Sequence, residues 1–154
     1  NNLITKGKKI DDVIDIGCGT AVLAMAVAKV SSSRVIASDV DQVAVEVALA
    51  NLKANKLENR IACFQATGFE HTQIKSNAPF DLIFANILKS PLIDLAPSIR
   101  KYLKSNGHAI ISGILDIQAY EIIEVYRQNK LLVLDRIDID EWVTLTLISS
   151  EQEF

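Results

Sequence analysis

An acid and two glycines stand at the end of the first apolar run of the chain. The tract 13–20 reads Val-Ile-Asp-Ile-Gly-Cys-Gly-Thr, so Asp15 precedes the pair Gly17 and Gly19, with Cys18 between them. Glycine lacks a Cβ atom, and the backbone at these positions can therefore adopt positive φ and approach a ligand closely. Such a bend between a strand and a helix predicts a nucleoside-cofactor site at the carboxyl end of a parallel sheet.

A second acid, Asp39, closes the next apolar run, 34–38. A carboxylate at that point can accept two hydrogen bonds from a ribose diol. Thr20 is expected to start the helix between the two runs, and Val22 occupies the position where a dinucleotide fingerprint needs glycine or alanine, which disfavours a pyrophosphate ligand. The alternative is a plain tight turn and an acid that caps a helix, the role expected of Asp41.

A third chemical signal is Asn86, which ends the fourth apolar run. Its amide oxygen can accept a hydrogen bond from a substrate amine, while its NH₂ group can donate to a cofactor or to the backbone. The alternative is an Asx-turn or a helix cap.

The elements that position these residues alternate between apolar runs and amphipathic stretches, the pattern of βαβ units around a doubly wound parallel sheet. In the second helix, Val43, Val47 and either Ala50 or Leu52 are expected to face the core. The predicted strands are 13–16, 34–38, 60–64, 81–85 and 108–112, and the predicted helices are 20–30, 42–55, 91–103 and 117–129. The Asn-Gly pair at 106 and 107 is expected to end the helix 91–103.

Two β-rich runs at the end of the chain, 131–137 and 142–148, are separated by only four residues. This connection is too short for a helical crossover, so the runs should pair antiparallel. The prediction is an α/β fold with a Rossmann-like seven-stranded sheet, mostly parallel, with one antiparallel strand in a C-terminal hairpin.

The tract at Gly17 resembles the acid-x-Gly-x-Gly motif of S-adenosylmethionine-dependent methyltransferases, whose members usually carry a further glycine where this chain has Ala21. The C-terminal hairpin also resembles the class I methyltransferases, which implies strand order 3-2-1-4-5-7-6. Asn86 matches the Asn-Pro-Pro-Tyr motif of amino-group methyltransferases, although Ile87, Leu88 and Lys89 replace its last three residues.

Asn-Ile-Leu followed by Pro-Leu resembles the PrmA family, which methylates the large-subunit ribosomal protein L11. The resemblance implies S-adenosylmethionine contacts at Gly17, Asp39 and Asn86, with Asp15, Cys18 and Gly19 completing the predicted cofactor-binding set. It extends from about 11 to 148 and includes Asp39-Val40-Asp41, Ala44-Val45, Asn51, Asn55, Leu95-Ala96-Pro97, Ser112-Gly113-Ile114-Leu115 and Glu141-Trp142.

The resemblance implies transfer of a methyl group to lysine side chains, or to the N-terminal amine, of a ribosomal protein. Asn86 is the predicted catalytic residue, which orients the amine together with nearby backbone carbonyls, and no dedicated general base is required. Trp142 is expected either to wall the substrate mouth or to be a buried core aromatic. Residues 1–154 are expected to form one methyltransferase domain, without the N-terminal substrate-recognition domain that family members carry.

Three other functions are compatible with the motifs: N-methylation of RNA or of a small-molecule amine, S-adenosylmethionine binding without catalysis, and a nicotinamide dehydrogenase. Fold and cofactor site alone do not determine the acceptor. Phe69, Glu70 and His71 lie in a long polar tract, 65–79, that could cover the adenine ring, although a solvated loop is the commoner structure.

The composition favours one globular domain, because 154 residues with 49% hydrophobic content can bury a sizeable core. The formal net charge of −3 gives no basic footprint, so stable nucleic-acid binding is not expected. Two cysteines form no disulfide framework or metal-ligand cluster, which favours a reducing cytoplasm. No apolar stretch reaches the roughly 20 residues that span a bilayer, and a monomer without bound metal is favoured.

Overall fold

Apolar runs of the sequence form the strands of one seven-stranded sheet. The structure, a computed structural model, describes residues 9–150. The strands are β1 (Asp12–Ile16), β2 (Arg34–Asp39), β3 (Ile61–Gln65), β4 (Phe80–Asn86), β5 (Leu103–Leu115), β6 (Leu131–Ile139) and β7 (Trp142–Ser149). The helices of this range are α1 (Val22–Val30), α2 (Gln42–Ala54), α3 (Thr72–Asn77), α4 (Lys89–Tyr102) and α5 (Asp116–Gln128).

The strand order is β3-β2-β1-β4-β5-β7-β6, which confirms the predicted α/β class and topology. The pairs β1–β2, β2–β3, β1–β4 and β4–β5 are parallel, and β7 is antiparallel to both β5 and β6. The order reverses between β1 and β4, because the chain first winds toward β3 and then returns to continue on the other side. In open α/β sheets, ligands bind at this switch point, outside the carboxyl ends of the strands.

Two apolar cores hold the helices on the sheet. One packs α1 and α2 through Ala24, Val27 and Leu52. The other packs α3, α4 and α5 and includes Leu92 and Tyr126. The hydroxyl of Tyr126 donates a hydrogen bond of 2.9 Å to the carbonyl oxygen of Leu92 and so ties α5 to the first turns of α4.

The start of α1 differs from the prediction. The helix begins at Val22 rather than Thr20, and Ala21 occupies the N-cap position with φ of 61° and no side-chain cap. A left-handed alanine costs about 1–2 kcal/mol, which is the physical reason for glycine at this position in related motifs. The N–H of Ala24 is satisfied from outside the helix by Oδ2 of Asp15, at 3.2 Å.

Two further predictions need correction. The chain enters β5 at Leu103, directly after α4, so the Asn-Gly pair at 106 and 107 lies inside a strand with an irregular register rather than at a helix end. In α2, Val43 and Val47 are exposed, whereas Val45, Ala48 and Leu52 form the buried face. Asp41 does cap α2, since its Oδ1 accepts from the N–H of Val43 at 2.9 Å.

No helix within residues 9–150 combines the length and the apolar character needed to cross a membrane.

Candidate active site

A cavity of about 510 Å³ lies where the carboxyl ends of β1 and β2 meet the loops that follow β3 and β4. This volume falls in the usual range for small-molecule sites, roughly 300–1,000 Å³. Its polar groups include two carboxylates, and no lysine, arginine or histidine contributes to its wall. The lining residues are Ile16, Gly17, Asp39, Val40, Ala66, Thr67, Gly68, Ile87, Ser90, Pro91, Asp94 and Leu95.

The loop after β1 brings its backbone to the cavity at Gly17, which has φ of 67°. A Cβ atom at Gly17 would lie 2.3 Å from Cγ2 of Ile87, so only glycine fits between the loop and the β4–α4 connection. Gly19 also has positive φ, 52°, but a Cβ there would meet nothing within 4 Å. The predicted backbone conformation of both glycines is therefore confirmed, and the close approach belongs to Gly17.

Asp39 is the last residue of β2 and lies on the cavity wall. Its Oδ2 accepts a 2.9 Å hydrogen bond from the N–H of Gly19, and its Oδ1 accepts one of 3.0 Å from the N–H of Asp41. A carboxylate offers about four lone-pair sites, so acceptor capacity remains for a ligand diol.

Asp15 lies behind the cavity wall, with 1% of its surface exposed. Burial raises the pKa of this carboxyl to about 6, repulsion by Asp39 adds to the rise, and the hydrogen bond from the Ala24 N–H opposes it. The structure gives Asp15 the position of a remote cap that fastens α1 to β1, because α1 has no cap of its own.

Cys18 is buried and does not line the cavity. Its N–H donates to the carbonyl of Ser38 at 2.9 Å, which extends the contact between β1 and β2 by one residue. Its thiol donates to the carbonyl oxygen of Gly19 at 4.0 Å. The neighbouring thiol of Cys63 on β3, together with burial, raises the pKa of the Cys18 thiol. Both cysteines are free thiols.

A second cavity, of about 470 Å³, lies beside the first and contains the exposed Asn86. Ile87 lines both cavities, so the two spaces adjoin at this residue. Trp142 is 51% exposed and lines the second cavity, which excludes the buried-core alternative for this residue. The remaining lining residues are Leu88, Ser112 and Gly113.

The predicted residues divide into four groups. Gly17 and Asp39 line the first cavity, and Asn86 lines the second. Asp15 and Cys18 are buried behind the loop, where Asp15 supports it by capping α1. Gly19 contacts Asp39 through its N–H. Their contacts with a cofactor stay predictions.

The tract 65–79, which was expected either to cover the adenine ring or to be a solvated loop, reaches the cavity at Ala66, Thr67 and Gly68, residues that the sequence analysis did not name individually. Phe69 is buried and stacks on Tyr102, with ring centroids 4.8 Å apart. The only available signal for 66–68 is their place directly after a parallel strand at the same edge of the sheet.

His71, in the same tract, begins α3 and accepts a hydrogen bond from the N–H of Gln73 through Nδ1. Its ring stacks on Phe64, with centroids 4.0 Å apart. Glu70 forms an ion pair with Lys75. Phe69, Glu70 and His71 are not among the residues that line the first cavity.

A protein-family model described as ribosomal protein L11 methyltransferase (PrmA) matches residues 2–149. The chain belongs to this family. Membership confirms the resemblance inferred from the sequence and, with it, the family's cofactor, S-adenosylmethionine.

Two curated PrmA relatives and one solved structure illustrate the similarity. The chain is 40% identical to ribosomal protein L11 methyltransferase of Brucella suis over 136 residues, 88% of this chain and 48% of the relative. For the protein of Agrobacterium fabrum the identity is 38% over 144 residues, 94% of this chain and 49% of the relative. The chain thus spans about half the length of these relatives.

The crystal structure of ribosomal protein L11 methylase from Lactobacillus delbrueckii subsp. bulgaricus superposes with a TM-score of 0.87 at 27% identity. The superposition covers 97% of this chain and 74% of the other.

The donor set of the first cavity fits the PrmA cofactor. S-adenosylmethionine carries ribose hydroxyls, an ammonium group and a sulfonium, and Asp39 and Asp94 supply carboxylates on the wall. A dinucleotide brings phosphates instead, and the wall has no basic side chain to meet them. The contact between Gly17 and Ile87 is a cradle that any side chain would fill.

No group of three or more potential metal ligands occurs within residues 9–150.

Proposed function

We propose that this chain transfers methyl groups from S-adenosylmethionine to amino groups of ribosomal protein L11, at lysine side chains or at the N-terminal amine. The observation that carries the proposal is the junction at Ile87. A cavity with the donor set for the cofactor and a cavity that contains Asn86 meet at this one residue. Methyl transfer requires such a junction, because the donor carbon and the acceptor nitrogen must approach in line.

The cofactor is held from two strand ends. Asp39, which lines the cavity, would accept hydrogen bonds from the ribose diol, and the Gly17 backbone would lie against the cofactor because it carries no side chain. Bound S-adenosylmethionine supplies an activated methyl on a positively charged sulfur, and the sulfur leaves as a neutral thioether. No acid is needed for that departure.

The acceptor amine must present a free lone pair to the methyl carbon. A neutral primary amine has two N–H groups, and Oδ1 of Asn86 and the carbonyl oxygen of Ile87 are acceptors at the second cavity. If both N–H groups are bound, the lone pair is left for the new N–C bond as the S–C bond breaks. A lysine titrates near pKa 10.4, so the substrate amine must give up one proton to water before it attacks, and desolvation and the nearby positive sulfonium favour this loss by lowering its pKa. The neutral amine then becomes a methylated ammonium as the N–C bond forms and the S–C bond breaks.

The wall of the second cavity offers apolar surface on which an aliphatic chain can pack. Leu88 is 75% exposed and Trp142 is 51% exposed, and they leave large apolar surfaces beside Asn86. The methylene stem of a lysine can pack on such surfaces while its amine reaches the amide.

The decisive experiment is mass spectrometry of ribosomal protein L11 after incubation with this chain and S-adenosylmethionine. A parallel sample uses the chain fused to the N-terminal half of the Agrobacterium fabrum relative, because the chain spans 49% of that protein. We expect mass increments of whole methyl groups on lysines or on the N-terminal amine. Methylation by the fusion alone would support a separate recognition domain.

Two outcomes would overturn the proposal. Methylation of ribosomal RNA or of a small amine, with ribosomal protein L11 unchanged, would move the acceptor to another class. Calorimetric binding of S-adenosylmethionine without methylation by either form would indicate a module that binds the cofactor and lacks catalysis.

A further inference from the structure

Gly113 lies closer to Asn86 than any residue with a side chain could. A Cβ atom at Gly113 would lie 2.9 Å from Oδ1 of Asn86, 2.8 Å from the carbonyl oxygen of Ile87 and 3.2 Å from its nitrogen. Ordinary contacts to carbon begin at about 3.5 Å. Gly113 therefore lies against both oxygens that the proposed function assigns to the acceptor amine, Oδ1 of Asn86 and the carbonyl oxygen of Ile87.

This contact results from an irregularity in β5. Asn86 pairs with Ser112 at the parallel β4–β5 ladder, and the register between β5 and β7 shifts between Ile111 and Ile114. Gly113 sits at that shift with φ of 79°. Bulges of this kind re-aim neighbouring groups and are concentrated near active sites.

The position of Ser112 is fixed independently of the glycine. Its hydroxyl and that of Thr144 on β7 are 2.8 Å apart and hydrogen-bonded. Gly113 is therefore restrained between the β4–β5 and β5–β7 ladders. It cannot easily shift away from the β4–α4 connection.

We propose that Gly113 is a positioning residue for methyl transfer: its missing side chain lets Oδ1 of Asn86 and the Ile87 carbonyl converge on the same side of the acceptor cavity. The inference rests on the proposed function of Asn86. A methyl group at position 113 would push both oxygens aside by several tenths of an ångström, and a misplacement on the scale of 1 Å can cost about 10²-fold in rate.

The test compares Gly113→Ala with Gly107→Ala. Gly107 lies on the same strand outside the two site cavities, and a Cβ there would also clash, 2.9 Å from the carbonyl oxygen of Lys104. Gly107→Ala thus reproduces the crowding of the replacement away from the acceptor amide, although not the positive φ of Gly113, so the Asn86 signals are compared as well as kcat. Each variant is measured for kcat and KM with ribosomal protein L11, for S-adenosylmethionine affinity by calorimetry, and for its urea midpoint.

We expect kcat to fall at least about tenfold in Gly113→Ala, with cofactor affinity within about threefold of the parent. Gly107→Ala should lose stability but keep the kcat of its folded fraction. An independent readout is the NMR signal pair of the Asn86 side-chain NH₂, which should shift in Gly113→Ala and stay in place in Gly107→Ala. This signal reports the contact even where no acceptor is methylated.

Unchanged kcat and unchanged Asn86 signals in Gly113→Ala would overturn the inference, as would equal losses of kcat in the two variants. If Gly113→Ala does not fold, Asn86→Ala is added to it, because removing the amide relieves the 2.9 Å contact. Recovered folding in the double variant supports the contact with Asn86. No recovery would assign the clash to the Ile87 carbonyl, 2.8 Å away, and so overturn the role given to Asn86. Absence of methylation by the parent, with the Asn86 signals shifted as expected, would count against the proposed function alone.

Discussion

The N–H of Gly19 donates a 2.9 Å hydrogen bond to Oδ2 of Asp39, and this bond joins the loop after β1 to the end of β2. The contact makes the two strongest sequence signals one structural unit. An acid at the tip of the second strand restrains the glycine loop and also faces the cavity. A ligand that binds Asp39 therefore meets a loop that is already in place.

Asp39→Ala is expected to weaken S-adenosylmethionine binding by about tenfold to a hundredfold, because hydrogen bonds to a charged group contribute roughly 1.5–3 kcal/mol. Calorimetry measures the change. Asp41→Ala is the matched control, since Asp41 is an exposed acid two residues later that caps α2 and does not line the cavity. Unchanged affinity in Asp39→Ala would refute the ribose contact.

Gly17→Ala should impair the cofactor site more than Gly19→Ala. Both replacements place alanine at positive φ, which costs about 1–2 kcal/mol of stability. Only the first adds a clash, 2.3 Å from Cγ2 of Ile87, at the residue that both cavities share. We expect the larger loss of S-adenosylmethionine affinity in Gly17→Ala, measured by calorimetry on folded protein, and equal losses would contradict the role of the Ile87 contact.

Asn86→Ala should reduce kcat by about 10²-fold at saturating cofactor, because the amine loses one of its two orienting acceptors. Asn86 lines the acceptor cavity and does not appear on the wall of the cofactor cavity, so the effect on S-adenosylmethionine affinity should be the smaller one. Steady-state kinetics of ribosomal protein L11 methylation separates the two. Methylation at the parent rate would exclude the orienting role.

Tyr126→Phe should lower the free energy of unfolding by about 1 kcal/mol, the usual net contribution of a buried hydrogen bond. The lost bond, 2.9 Å from the Tyr126 hydroxyl to the Leu92 carbonyl, ties α5 to α4, which carries part of the cavity wall. Urea unfolding measures the change. Cofactor affinity should remain within about twofold if the apolar packing of the ring suffices to hold α4.

The α/β class, the C-terminal hairpin and the place of the site could be predicted because they depend on local signals, whereas the strand order was implied by the resemblance to the class I methyltransferases. Alternating apolar runs and a four-residue connection specify the parallel strands and the hairpin, and Gly17 and Asp39 mark the carboxyl ends of neighbouring strands. Asp41 was readable as a cap because capping is a contact within one turn, to Val43.

The remaining details depend on contacts between distant residues. The predicted start of α1, at Thr20, was wrong because Ala21 adopts positive φ and the helix begins only at Val22. The N–H of Ala24 is satisfied by Asp15, nine residues earlier in the chain, which no local pattern indicates. The prediction of the buried face of α2 was wrong because valines occur on both faces of this helix. The pattern alone does not show that Val43 is exposed and Val45 is buried. Residues 66–68 lie in the tract 65–79 that was expected at this edge of the sheet, but they carry no chemical signature that marks them individually, and the sheet brings them to the cavity.

The buried Asp15 predicts a specific dependence of stability on pH. Burial raises the pKa of its carboxyl from 3.8 to about 6, so between these values the folded chain binds a proton more tightly than the unfolded chain. The protonated carboxyl therefore favours folding at low pH, and this contribution is lost as pH rises through 6. The loss is on the order of 3 kcal/mol, since each pKa unit corresponds to about 1.4 kcal/mol.

Asp15→Asn isolates this contribution, because the amide stays neutral throughout and its oxygen can still accept from the Ala24 N–H. Urea unfolding of both proteins is measured from about pH 4 to pH 7. The free energy of unfolding of Asp15→Asn, relative to that of the parent, should rise by roughly 3 kcal/mol across this range. All other groups titrate in both proteins, so the difference belongs to Asp15. Curves that stay parallel would show that this carboxyl keeps its ordinary pKa. Asp39→Asn removes the repulsion between the two carboxylates, so the loss of stability with rising pH should occur at lower pH in that variant than in the parent.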